Sequence, residues 1–156
     1  MAREHNYTLT LTWTGNKGSG TSNYTAYARD HLIAIEGKPI MSGSSDAAFR
    51  GDPMKHTPED MFLASISACH MLWYLHLCAE AGVVVTGYID NADGLMIQHA
   101  NGSGQFSKVT LRPLVTVSHA SMIQPATNLH KDANEFCFIA RSCNFPIHHE
   151  GSVITE

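Results

Sequence analysis

Four cysteines and ten histidines are the side chains of this chain best able to do chemistry. Cys69 and Cys78 fall in one long apolar stretch, and Cys137 and Cys143 in a second helical stretch nearer the C-terminus. A thiol in such surroundings has three fates. It can fill a core as a small apolar group, since free cysteine is among the most buried residue types. It can bind a metal, or it can be a nucleophile activated by a neighbouring cation. The spacing argues against metal. Cys69-His70 offers adjacent ligands about 100° apart on a helix, and neither Cys-x-x-Cys nor His-x-x-x-His occurs. His148-His149 reads as a solvated pair ahead of a last strand. No metal and no organic cofactor is expected.

These residues must be carried by one core. At 156 residues and 17.0 kDa, with 44% apolar and 15% charged residues, the chain has the size and balance of a single globular domain spanning residues 1–156. The net charge is -4 and no basic cluster occurs, so nucleic acid is not an expected partner. Residues 1–13 alternate polar and apolar types and lack the continuous apolar run of a signal peptide, which predicts a cytoplasmic protein with reduced thiols.

The alternation of Tyr7, Leu9, Leu11 and Trp13 with threonines predicts a half-buried strand, followed by a glycine-rich turn and strand pieces over 24–28 and 32–36. Residues 41–56 read as a long loop, of a length that is often functional. Thr57, Pro58 and Asp60 then predict a capped helix start, and Gly82 its end. Between Asp60 and Glu80 no charged residue occurs and apolar side chains fall all around the cylinder, so the helix must be buried on nearly every side. A membrane span is the other reading of so apolar a run, but Ser65, Ser67, His70, Tyr74 and His76 and the acidic ends favour a core helix, part of it covered by a second subunit. Further strands are predicted over 83–90, 95–99, 106–111 and 114–118, joined as a meander with a hairpin at 91–94. A second helix follows over 126–142, with Leu129, Ala133, Phe136 and Ala140 on one stripe, and a strand over 151–155.

The helix start Thr57-Pro58-Glu59-Asp60, the run Ala64-Ser65-Ile66-Ser67-Ala68-Cys69, and Cys137 on a later helix together resemble the OsmC/Ohr family of thiol peroxidases. That family shows Cys-Pro-Val/Ile-Ser at the second site, where this chain has Cys137-Phe138-Ile139-Ala140. The resemblance implies an α+β OsmC-like fold: antiparallel sheets, a long central helix, a second helix, and an intertwined homodimer. It implies a peroxidase that reduces organic hydroperoxides, with Cys69 as the peroxidatic thiol, Cys137 as the resolving one, and an external dithiol as reductant. By the same resemblance an arginine steadies the thiolate and Glu59 steers it. Arg50, in the loop before the helix, is favoured for that arginine and Arg29 is the alternative.

Glu59 and Cys69 are ten residues apart, about 15 Å along one helix, too far for the glutamate to act at its own thiol, so an antiparallel second subunit would have to supply it. Cys78, nine residues from Cys69, faces the other side of the helix, and Cys143 lies at a helix end. Both are read as structural. Phe49, Met61, Phe62, Met71 and Trp73 are expected to line an apolar pocket that prefers organic peroxides to hydrogen peroxide. A different class of function uses the same pocket without chemistry: a binding protein with inert thiols.

Overall fold

The computed structural model describes residues 3–156. Met1–Met61 and Phe62–Glu156 form two compact units, and each is taken by itself. In the first, β1 (Thr10–Trp13), β2 (His31–Ala34) and β3 (Met41–Gly43) make an antiparallel sheet in the order β1-β2-β3. All four β1 residues are exposed in the isolated chain, not half-buried as the alternation predicts. Trp13 is nevertheless anchored, its indole N–H donating to the Ala28 carbonyl at 2.8 Å.

The stretch read as loop contains β3 and a turn of 3-10 helix at Ala47–Phe49. Asp46 caps that turn, its Oδ1 accepting from the Ala48 N–H at 2.7 Å, while the Arg50 and Gly51 N–H groups donate to the Ala47 and Asp46 carbonyls at 3.0 Å each. Arg50 itself takes a left-handed conformation (φ 66). Gly51 allows this turn to close. A Cβ at that position would overlap the Ser45 backbone, so no other residue fits.

Helix α1 runs Pro58–Glu80. Its start is the reciprocal box expected: the Asp60 N–H donates to Thr57 Oγ1 at 3.1 Å, and the Thr57 N–H donates to Asp60 Oδ2 at 3.0 Å. Its end is a Schellman turn, with Gly82 at φ 70, the Gly82 N–H donating to the Ala79 carbonyl (3.2 Å) and the Val83 N–H to the Cys78 carbonyl (2.8 Å).

The second unit holds the rest of α1 and two three-stranded sheets. One has β4 (Val85–Asp90), β7 (Pro113–Val117) and β9 (Ser152–Thr155) in the order β4-β7-β9. The other has β5 (Asp93–Gln98), β6 (Gly104–Leu111) and β8 (Ile147–His149) in the order β5-β6-β8. The meander is therefore corrected. β4 pairs with β7 and β5 with β6, so the turn at 91–94 carries the chain between sheets instead of closing a hairpin. The third strand of each sheet adds in parallel, and β8 is a strand where the sequence suggests only a solvated histidine pair.

Helix α1 buries one stripe, Ile66, His70, Tyr74 and Cys78, and not its whole circumference. These four are spaced four residues apart, the spacing that stacks side chains along one helix face. Ile66 packs with Val109 and Leu111 in one cluster, and Tyr74 and Cys78 with Val115, Val117, Ala126 and Ala133 in another. Phe62, Leu63, Leu75 and Leu77 are partly buried against these clusters, and the opposite stripe, Ala64, Ala68, Leu72 and His76, is exposed in the isolated chain, with Leu72 63% exposed.

The second helical region is two helices, α2 (Ile123–Phe136) and α3 (Phe138–Arg141), broken at Cys137. Residues Ala126, His130 and Ala133 form its buried stripe, while Phe136, assigned to that stripe from the sequence, is exposed.

Candidate functional site

The break at Cys137 is local in cause and consequence. Its extended ψ of 108 ends α2, and its Sγ then caps α3 by accepting from the Ala140 N–H at 3.4 Å. Cys69 on α1 is its neighbour, near enough to raise the pKa of the Cys137 thiol. Cys69 is partly exposed and Cys137 fully buried.

Burial pushes the Cys137 thiol up to about 12, the neighbouring Cys69 pushes in the same direction, and the Ala140 N–H opposes both. Cys137 therefore stays a protonated thiol near neutral pH, beside a sulfur that solvent can reach. Chemically, such a pair can form a disulfide once the outer sulfur is oxidised.

Aromatic side chains wall this pair. Trp73, one turn beyond Cys69, stacks on Phe136 with ring centroids 5.3 Å apart and meets Phe138 edge-on at 5.5 Å. Leu72, Trp73 and His76 line an adjoining groove of about 310 Å³. Trp73 was expected in a pocket lining, whereas Phe136 and Phe138 were not. The signal for them lay in the sequence, since they flank Cys137 directly. Phe62 takes another place, packed against Phe106 and Phe145 at centroid distances of 5.1 and 6.0 Å.

Cys78 and Cys143 stand apart from the pair. Cys78 is buried beside Tyr74 with its pKa raised by burial, and Cys143 donates to the Ile139 carbonyl at 3.3 Å. Both fit the structural reading.

The other predicted residues belong to the first unit. Glu59 lies in the first turn of α1, partly buried. Arg50 is exposed at the end of its tight turn. The alternative, Arg29, is fully engaged: its guanidinium donates to the Tyr27 and Tyr24 carbonyls at 2.7 and 2.9 Å and lies over both tyrosine rings, 4.2 and 4.3 Å from their centroids.

A histidine cluster escaped the sequence reading. His70 is buried on α1, and its Nε2 is 3.1 Å from Nδ1 of His130 on α2. His149 on β8 stacks over His70 at 4.6 Å, and Tyr74 over His130 at 4.0 Å. Burial first, and the neighbouring imidazoles second, lower His70 to about 3, while burial lowers His130 to about 4. His149 is thus partly buried against His70, not half of a solvated pair. No group of three or more His, Cys, Asp or Glu among the described residues is arranged to hold a metal ion.

No curated protein matches this sequence. Among solved structures, an OsmC-like protein of unknown function from Vibrio cholerae O1 biovar eltor is similar over 95% of this chain and 99% of its own, at 28% identity and a TM-score of 0.83. An organic hydroperoxide resistance protein from Elizabethkingia anophelis, with thiocyanate bound, covers 100% of both chains at 17% identity and a TM-score of 0.71. One from Legionella pneumophila covers 99% of this chain and 100% of its own at 10% identity and a TM-score of 0.67. These last two share the fold. The family model for OsmC-like proteins matches residues 51–150, the stretch that contains both paired thiols, and the chain therefore belongs to the OsmC-like protein family.

Proposed function

We propose that this protein is a cysteine-based peroxidase that reduces organic hydroperoxides. The observation that carries the reading is the thiol pair: Cys69 and Cys137, far apart in sequence, share one site in which the first is reachable and the second is not. Two structural neighbours bear the name of organic hydroperoxide resistance proteins.

In this reading the Cys69 thiolate attacks the outer peroxide oxygen, the O–O bond breaks, and the alkoxide takes a proton to leave as the alcohol. Cys69 becomes a sulfenic acid. The Cys137 sulfur then attacks it, water departs, and a disulfide forms. An external dithiol reduces that disulfide by two exchange steps and is itself oxidised. Arg50 supplies the cation for the thiolate and Glu59 positions it, across a homodimer whose partner covers the open apolar faces of α1. The strained left-handed conformation of Arg50 supports that assignment, since such strain collects at functional sites, and so does the engagement of Arg29 elsewhere. Trp73, Phe136 and Phe138 favour an organic peroxide over hydrogen peroxide.

Thiol titration tests this. One equivalent of tert-butyl hydroperoxide should consume two thiols per chain and create one Cys69–Cys137 link, detectable by peptide mass spectrometry. The groove beside Trp73 favours a second reading, a binding protein for apolar ligands, under which the thiol count stays unchanged.

A further inference from the structure

Helix α2 packs into the core cluster that holds Tyr74 and Cys78 of α1, with Ile123 and Leu129 partly buried against it. Its buried stripe is Ala126, His130 and Ala133, and alanine offers no knob to lock one helix turn against another. Yet the thiol pair exists only in one register of α2 on α1. Two buried directional contacts mark that register. The Tyr74 hydroxyl donates to the Ala126 carbonyl at 3.1 Å, and the His70 and His130 rings share the 3.1 Å N–H···N bond. The two contacts are one helical turn apart on both helices, and they run in opposite chain directions. Sliding α2 by a turn would break both bonds at once.

The histidines are a poor choice for stability alone. Each leaves its other nitrogen, His70 Nδ1 and His130 Nε2, buried without a partner, where a pair of phenylalanines would leave nothing unsatisfied. Their rings are nearly coplanar (interplanar angle 6°), an arrangement suited to an in-plane hydrogen bond. Buried polar pairs of this kind are best attested as devices that select one packing among several.

We propose that His70, His130 and Tyr74 are positioning residues that pin α2 in the register bringing Cys137 to Cys69. The proposal rests on the functional importance of that thiol pair and adds what sets its geometry. A displacement of about 1 Å is enough to slow a reaction between two held groups by up to about a hundredfold.

The test separates register from stability. Diamide, an azo oxidant that takes the two thiol hydrogens as it becomes a hydrazine, forms the Cys69–Cys137 disulfide without any peroxide. His130→Phe keeps the ring stacked on Tyr74 and deletes the bond. It leaves His70 Nε2 buried without a partner, so it should be less stable to urea than the wild type, and it should pair its thiols about tenfold more slowly. His130→Asn, whose amide occupies the place of Nδ1, should be less stable but pair at close to the wild-type rate. Tyr74→Phe loses one oxygen and should slow pairing by several-fold. Should His130→Phe not fold, Tyr74→Phe and His130→Asn decide the matter. Unchanged pairing in Tyr74→Phe, or pairing rates that simply follow urea stability across the variants, would overturn the proposal. If diamide links the thiols and tert-butyl hydroperoxide does not, the peroxidase reading falls and the register pin stands. If peroxide links them equally fast in every variant, the pin falls and the peroxidase reading stands.

Discussion

Acidification from pH 7.5 to pH 5 should destabilise the second unit through its buried imidazoles, by an amount that the structure sets. His70 and His130 titrate near 6.5 in the unfolded chain and are held at about 3 and about 4 in the fold, chiefly by burial. Their folded pKa values are depressed, so the unfolded chain binds more protons as pH falls below 6.5. Stability is therefore full above that pH and declines toward the folded values. At pH 5 the penalty is about 2 kcal/mol for each ring, or about 4 kcal/mol together. His149, also lowered by burial, adds in the same direction despite the opposing pull of Asp90. Urea unfolding followed by tryptophan fluorescence at the two pH values measures the loss. Carboxylates titrate in the same interval, so the informative quantity is the difference between wild type and His130→Phe. The variant should lose about 2 kcal/mol less than the wild type between pH 7.5 and 5. An identical loss in both, to within about 0.5 kcal/mol, would show that His130 is not held neutral by the core and would refute the reasoning.

The remaining outcomes are simpler to read. Cys69→Ser should abolish peroxide-driven thiol loss, whereas Cys137→Ser should leave a sulfenic acid on Cys69 that dimedone captures; capture in the first variant and none in the second would reverse the two roles. In the folded protein at pH 7.5, iodoacetamide should label Cys69 well before Cys137, whose thiol is buried and held protonated; equal labelling times by mass spectrometry would contradict that. Gly82→Ala should cost about 1–2 kcal/mol in chemical denaturation, because the left-handed turn that ends α1 strains a Cβ although open space surrounds it. Ile66→Ala should cost about 2–5 kcal/mol by the same measurement, since it empties a fully buried site between Val109 and Leu111.

Local chemistry was legible in the chain itself. Both ends of α1 could be read from Thr57, Pro58, Asp60 and Gly82, because caps are interactions among residues close in sequence. The thiols that meet were also identifiable, though through likeness to a family and not through spacing, which carries no information across the 67 positions between them. What failed was anything settled by distant partners. The turn at 91–94 has hairpin composition but joins two sheets, because β4 pairs with the distant β7 and not with β5, its neighbour in sequence. Helix α1 reads as apolar all round, yet the packing of this chain fully buries only every fourth residue from Ile66 to Cys78 and leaves the stripe Ala64, Ala68, Leu72 and His76 exposed.

The histidines mark the boundary most sharply. Nothing in the spacing of His70, His130 and His149 distinguishes them from the solvated histidines elsewhere in the chain, and two of them were passed over as uninformative. Only folding stacks rings from α1, α2 and β8 in a dry interior, and burial then removes their charge. Sequence alone determined which residues could react and where α1 begins and ends, since those depend on covalent identity and near neighbours. Tertiary structure decided which groups lose water and which sulfurs meet, since desolvation and proximity are properties of the packed chain.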